Sequence, residues 1–139
     1  MGDEKGGERN FVDTNIFLYA VQAHPQFGRI SKEILEKIDK GEKAVTSLIN
    51  LAEICWWLEK HGAEERTENE LMLVTSILNL EFAPLVLEDF LIASKFIKEY
   101  KIDFNDCLAL AVMKRLGIKK IYSNDPDFDR AGWVRREFR

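Results

Sequence analysis

Short apolar segments alternate with longer segments of helical spacing along nearly the whole chain, and that alternation limits the folds open to it. Residues 10–13, 43–46, 81–87, 118–122 and 133–138 read as strands, rich in Val, Ile, Phe and Tyr. Residues 14–21, 31–39, 48–60, 63–80, 88–100 and 104–116 read as helices, with Gly41, Gly62 and Gly117 as stop signals. A helix between successive strands implies crossover connections, hence a mostly parallel sheet covered on both faces. The expected fold is therefore a three-layer α/β/α domain. With 139 residues, 46% of them hydrophobic, there is enough chain for one real core. We place the domain at residues 10–139 and read the polar, Gly-rich residues 1–9 as a flexible lead-in.

Composition excludes several function classes. No apolar run approaches the ~20 residues of a membrane span, and the first residues lack the apolar stretch of a signal peptide. A cytoplasmic location is the resulting expectation. Cys55 and Cys107 stand alone in apolar helical patterns and read as buried free thiols. Without Cys-x-x-Cys, and with His24 and His61 far apart, a zinc site is not expected. The net charge of -4 argues against a passive nucleic-acid binder. It leaves room for an enzyme whose acids are neutralised by bound cations.

Four acids occupy positions where an acid calls for a reason. Asp13 ends the first strand, where open α/β sheets place ligands, although Asp is also a good helix N-cap. Glu53 interrupts a helix that is apolar nearly all round and so reads as buried. A carboxylate there needs a partner, a proton or a metal. Asp106 lies in the first turn of another apolar helix, in a stretch where Asp103 and Asp106 also match a capping box. Asp125 follows the strand 118–122, and Asp125-Pro126 also favours a turn. In a parallel fold these four can meet at one sheet edge. Clustered carboxylates repel, and a divalent cation relieves that. All-oxygen donors select Mg²⁺ or Mn²⁺, the ions of phosphodiester-cleaving sites.

Together these stretches carry a family resemblance. Phe11-Val12-Asp13-Thr14-Asn15-Ile16-Phe17-Leu18-Tyr19-Ala20 resembles the opening of PIN-domain ribonucleases, especially the VapC-type toxins of toxin–antitoxin pairs. The stretch from Thr46 to Glu53 is similar to their second motif. Asp103 to Ala111 is similar to the third, with Asp106 as the matching acid. Ser123-Asn124-Asp125-Pro126-Asp127-Phe128 is similar to the last. The resemblance implies that Asp13 and Asp106 are the principal metal ligands and that Glu53 and Asp125 complete the acidic pocket. It implies supporting roles for Asn15, Ser123 and Asp127. The implied reaction is Mg²⁺-dependent endonucleolytic cleavage of RNA, leaving 5′-phosphate and 3′-hydroxyl ends. A small antitoxin partner and a homodimer are implied as well. An RNA-processing nuclease without antitoxin, a non-catalytic RNA- or protein-binding scaffold, and a receiver-type phosphotransfer domain stay open as alternatives. Glu53 within a helix does not suit the receiver.

Other residues have plainer readings. Arg130, Arg135 and Arg136 are candidate RNA phosphate contacts, with a solvated surface as the alternative. Of the adjacent Trp56 and Trp57, one is expected in the core and the other against a neighbouring helix or partner chain.

Overall fold

The computed structural model describes residues 8–139. Five strands and six α-helices follow in the order β1 (Asn10–Val12), α1 (Thr14–Val21), α2 (Gly28–Asp39), β2 (Ala44–Ser47), α3 (Leu48–Lys60), α4 (Thr67–Thr75), β3 (Leu80–Ala83), α5 (Leu87–Tyr100), α6 (Phe104–Leu116), β4 (Lys120–Tyr122) and β5 (Arg135–Glu137). The sheet order is β3-β2-β1-β4-β5, and every pairing is parallel. This is the three-layer α/β/α arrangement that the alternation of segments implies.

The strands are three or four residues long, and side-chain alternation in the central ones feeds two cores. Phe11, Val45 and Ile121 point into the core beneath α5 and α6, with Leu108, Leu110 and Met113. Val12, Ala44 and Tyr122 point to the other face, against Ile16, Ile34, Ile38, Ile54 and Leu58 of α1, α2 and α3. A strand buried on both faces needs no polar alternation, which is why β1 is only Asn-Phe-Val. The outer strand β5 is charged, as suits an unpaired edge, and Lys120 Nζ pairs with its Glu137 at 2.9 Å.

Asp89 holds the α5–α6 layer together. Its carboxylate is 2% exposed. It accepts from the Val86 backbone N–H at 3.0 Å and from Arg115 Nε and Nη2, each at 3.0 Å. Arg115 Nη2 also donates to the Pro84 carbonyl at 2.8 Å.

Several boundaries differ from the sequence reading. The charged segment after Gly62 is not one helix to residue 80. A 3₁₀ turn, Glu64–Arg66, leads into α4, which ends at Thr75. There the Thr75 and Ser76 hydroxyls donate to carbonyls of the last turn, and Asn79 at φ 68 turns the chain into β3. The strand expected through residue 87 ends at Ala83, before Pro84, which has no N–H for the ladder. Helix α2 starts three residues early, at Gly28. A side chain there would meet the Ala23 backbone at 3.1 Å and the Tyr19 carbonyl at 3.3 Å. Asp103 makes no side-chain cap bond to α6, against the capping-box expectation. Helix α3 is not buried all round: only Asn50, Ile54 and Leu58 are buried, and Trp56 is 52% exposed. Of the lead-in expected to be flexible, residues 1–7 lie outside the described residues. Arg9 is tied to the sheet by an ion pair to Glu81 at 2.8 Å.

The Asp89 site gives a stability prediction. Asp89→Ala leaves Arg115 and the Val86 N–H without their shared acceptor, and is expected to cost about 3 kcal/mol in urea unfolding. A loss below about 0.5 kcal/mol, the size of an ordinary surface change, would show that the pair does not hold the layer.

Candidate functional site

Strand register decides where the acids go. Val12 lies opposite Tyr122 in the parallel β1–β4 pair, so the next residues, Asp13 and Ser123, leave the sheet side by side at its carboxyl edge. The strand order changes direction between these two strands, and open α/β sheets form their ligand crevice at that switch point. Asp13 Oδ1 accepts from the Thr14 N–H at 2.8 Å, so the capping role is real. Its Oδ2 accepts from Ser123 Oγ at 2.7 Å. Ser123 Oγ in turn accepts from the Asp125 N–H at 3.0 Å and lies 3.4 Å from Asn15 Nδ2. One serine hydroxyl thus ties the loop of Asp125 to Asp13.

Glu53 has the partners that its position demanded. It sits in the second turn of α3, half-buried, and its Oε1 accepts from Thr14 Oγ1. Its Oε2 accepts from Asn105 Nδ2 of α6 at 2.8 Å. Behind Thr14 runs a buried chain: Asn50 Nδ2 donates to Thr14 Oγ1 at 2.7 Å, and Ser47 Oγ donates to Asn50 Oδ1 at 2.7 Å. Three elements therefore fix one carboxylate. Sequence reasoning missed Thr14, Asn50 and Asn105. The signal for Asn50 was present, since it is the other polar residue in the apolar run and shares a helix face with Glu53 three positions on.

A cleft of about 400 Å³ opens at this edge. Asp13, Glu53, Asp103, Asp106 and Asp125 line it, with Asn15, Asn105, Leu18, Trp56 and Trp57 among the others. No Lys, Arg or His is among those lining residues. Carboxylate oxygens of Asp106, Asp125 and Asp127 lie within 4.8 Å of one another. Asp13, with both oxygens engaged by the protein, is not in that trio, but it repels Asp106 more than any other carboxylate does. The Asp125 carboxylate also accepts from the Asp127 N–H at 2.9 Å, so its turn-forming and clustering roles coexist.

None of the three arginines lines the cleft, but Arg130 Nη2 stands 4.0 Å from Asp127 Oδ1, at the edge of the acidic cluster. Arg136 forks onto Asp129 at 3.0 and 3.1 Å and reaches the Ser123 carbonyl at 3.3 Å. Arg130 donates to the Lys101 carbonyl at 2.8 Å. Arg135 pairs in register with Lys120, at the amino end of the strands, opposite the carboxylates.

Crowding and burial raise two of the acids. Burial is the main cause for Asp13, pushed from 3.8 up to about 7 against the hydrogen bonds from Ser123 and Thr14, with Glu53 and Asp125 adding repulsion. Asp106 is pushed up to about 8, by burial first and then by Asp13, Asp125, Glu53 and Asp103. Asn15 Oδ1 is a buried oxygen with no hydrogen-bond partner among the described residues. Hard oxygen donors, mutual repulsion and an orphaned carbonyl oxygen together suit a small divalent cation such as Mg²⁺ or Mn²⁺.

A model of the PIN domain family matches residues 11–134. No curated protein matches the chain in sequence. Among solved structures, the chain is similar to VapC20 of Mycobacterium tuberculosis, described as a Sarcin-Ricin loop cleaving toxin. The two are 21% identical over 89% of this chain and 95% of that one, with a TM-score of 0.75. It is similar to VapBC2 of Rickettsia felis bound to a promoter DNA fragment, at 22% identity over 93% and 97% of the two chains and a TM-score of 0.73. It is also similar to DNA-bound VapBC of Salmonella typhimurium, at 18% identity over 94% and 97%, with a TM-score of 0.70. Likeness at these identities speaks to the fold.

The raised acids give a pH prediction. The fold keeps protons on Asp13 and Asp106 that the unfolded chain releases, so metal-free stability falls as pH rises from about 4 through about 8. Asp106→Asn removes part of that loss. Without metal it is expected to melt about 5 °C above the wild type at pH 8.5, and level with it near pH 4. A variant that melts lower at pH 8.5 would mean that the acids are not in mutual repulsion.

Proposed function

The chain belongs to the PIN domain family, and from that membership we propose that it is a Mg²⁺- or Mn²⁺-dependent endoribonuclease that hydrolyses RNA phosphodiester bonds. The observation that carries this reading is the cleft: five carboxylates converge on it, with no cationic side chain among its lining residues. A scaffold that only bound RNA or protein would gain nothing from such repulsion.

Asp106, Asp125 and Asp127 are the residues grouped to hold the cation, with Asp13 beside them and Asn15 Oδ1 as a spare donor. A divalent cation held there would offset phosphate charge and lower the pKa of water, the chemistry that phosphodiester hydrolysis needs. Glu53, oriented through both oxygens by Thr14 and Asn105, is the carboxylate fixed well enough to align that water and take its proton. Ser123 keeps Asp13 and the Asp125 loop in register through one hydroxyl. Asn50 and Ser47 act further back, as positioning residues for Thr14.

The reading extends to a cytoplasmic toxin restrained by a small antitoxin, and to a homodimer. A toxin–antitoxin complex from Klebsiella pneumoniae and the VapBC assemblies share the fold, which supports a partner of that kind. So do exposed apolar side chains on α4 and α5, among them Met72, Leu73, Leu87 and Leu91. No helix among the described residues is long and apolar enough to cross a membrane.

The test is cleavage of RNA by the wild type and by Asp106→Asn, with Mg²⁺, Mn²⁺ and EDTA. Cutting that needs the metal, leaves 5′-phosphate ends and falls at least about a hundred-fold in the variant is the expected result. Cutting indifferent to both EDTA and the substitution would contradict the mechanism.

A further inference from the structure

The cleft has two unlike walls. One is the carboxylate cluster. The other is apolar: Trp56 and Trp57 of α3 with Leu18 of α1. The two tryptophans follow Glu53 by three and four residues, so they stand on the same helix face one turn further on. Trp57 is braced in place. The His61 ring stacks on it with centroids 4.1 Å apart and planes 24° apart, and its indole packs against the core beneath α1 and α2. Trp56 is left 52% exposed at the cleft.

An RNA strand entering this cleft meets no Lys, Arg or His side chain among the residues that line it. The aromatic wall is therefore the non-acidic contact that the cleft itself offers a strand. Every nucleobase has a π-face, and stacking on an aromatic ring is the sequence-tolerant way to hold a single strand. Three residues of α3, a rise of about 4.5 Å, separate Trp56 from Glu53, a span that a single nucleotide bridges. We propose that Trp56 is a stacking platform for an unpaired base next to the phosphate held at the carboxylates. This rests on the nuclease reading given above.

The test measures KM and kcat with Mg²⁺ for the wild type, Trp56→Ala and Trp56→Phe. The substrates are a single-stranded RNA oligonucleotide and a series in which one base at a time is removed, leaving an abasic sugar. For the wild type, one abasic position beside the cut is expected to raise KM about ten-fold. Trp56→Ala raises KM on the intact strand by a similar factor and loses nothing further on that abasic strand. Trp56→Phe recovers most of the affinity. Equal KM for Trp56→Ala and the wild type would overturn the platform and leave the ring to a protein partner. So would two penalties that simply multiply. A wild type that cuts no RNA overturns the nuclease reading, and the platform with it.

Discussion

Mutual repulsion among acids at one sheet edge is the constraint that the rest of this molecule answers. Asp13, Glu53, Asp106 and Asp125 come from four separate parts of the chain and meet only because parallel strands all end at the same edge. Bringing them there pushes the carboxyls of Asp13 and Asp106 up to about 7 and about 8, through burial first and then charge. Forces elsewhere must offset that. Two apolar cores flank the short central strands, and the buried Asp89–Arg115 fork clamps α5 to α6. Near the site, hydrogen bonds hold two of the acids at one angle: Ser123 and Thr14 on Asp13, Thr14 and Asn105 on Glu53. Crowded acids held in fixed orientations are the arrangement that the proposed cation would relieve.

Much of this was legible in the sequence, for identifiable reasons. Strand–helix alternation dictates a parallel sheet, and the observed order β3-β2-β1-β4-β5 delivers the four acids to one edge. Glu53 declared its need for partners by interrupting an apolar run, and the partners exist. Other features depended on contacts that no local pattern records. The capping box expected of Asp103 did not form, and Asp103 lines the cleft instead. Asn105 is an ordinary helix residue until α3 and α6 pack and place it against Glu53. Helix α3 looked fully buried because it is apolar all round, yet part of its surface forms the cleft wall. Asp127 and the three arginines show the same limit: their distances from the centre follow from the 3₁₀ turn Pro126–Arg130 and the register of β5.

Function in this molecule follows from a division between charge and apolar surface. In the proposed reaction the acidic wall would repel the substrate's phosphates until a cation sat between them, so chemistry and binding would depend on the same ion. The proposed aromatic platform would owe nothing to that ion. On that proposal, a chain with net charge -4 would handle a polyanion through a bound cation and an aromatic face.

The central claim is that a divalent cation replaces protons held by crowded acids. Calorimetric titration of Mn²⁺ into the protein, repeated in buffers of different ionisation enthalpy, counts protons released per ion bound. With Asp13 near 7 and Asp106 near 8, binding at pH 7 should release about one proton or more, and almost none at pH 9.5. Absence of binding, or binding with no proton release at pH 7, would contradict the account.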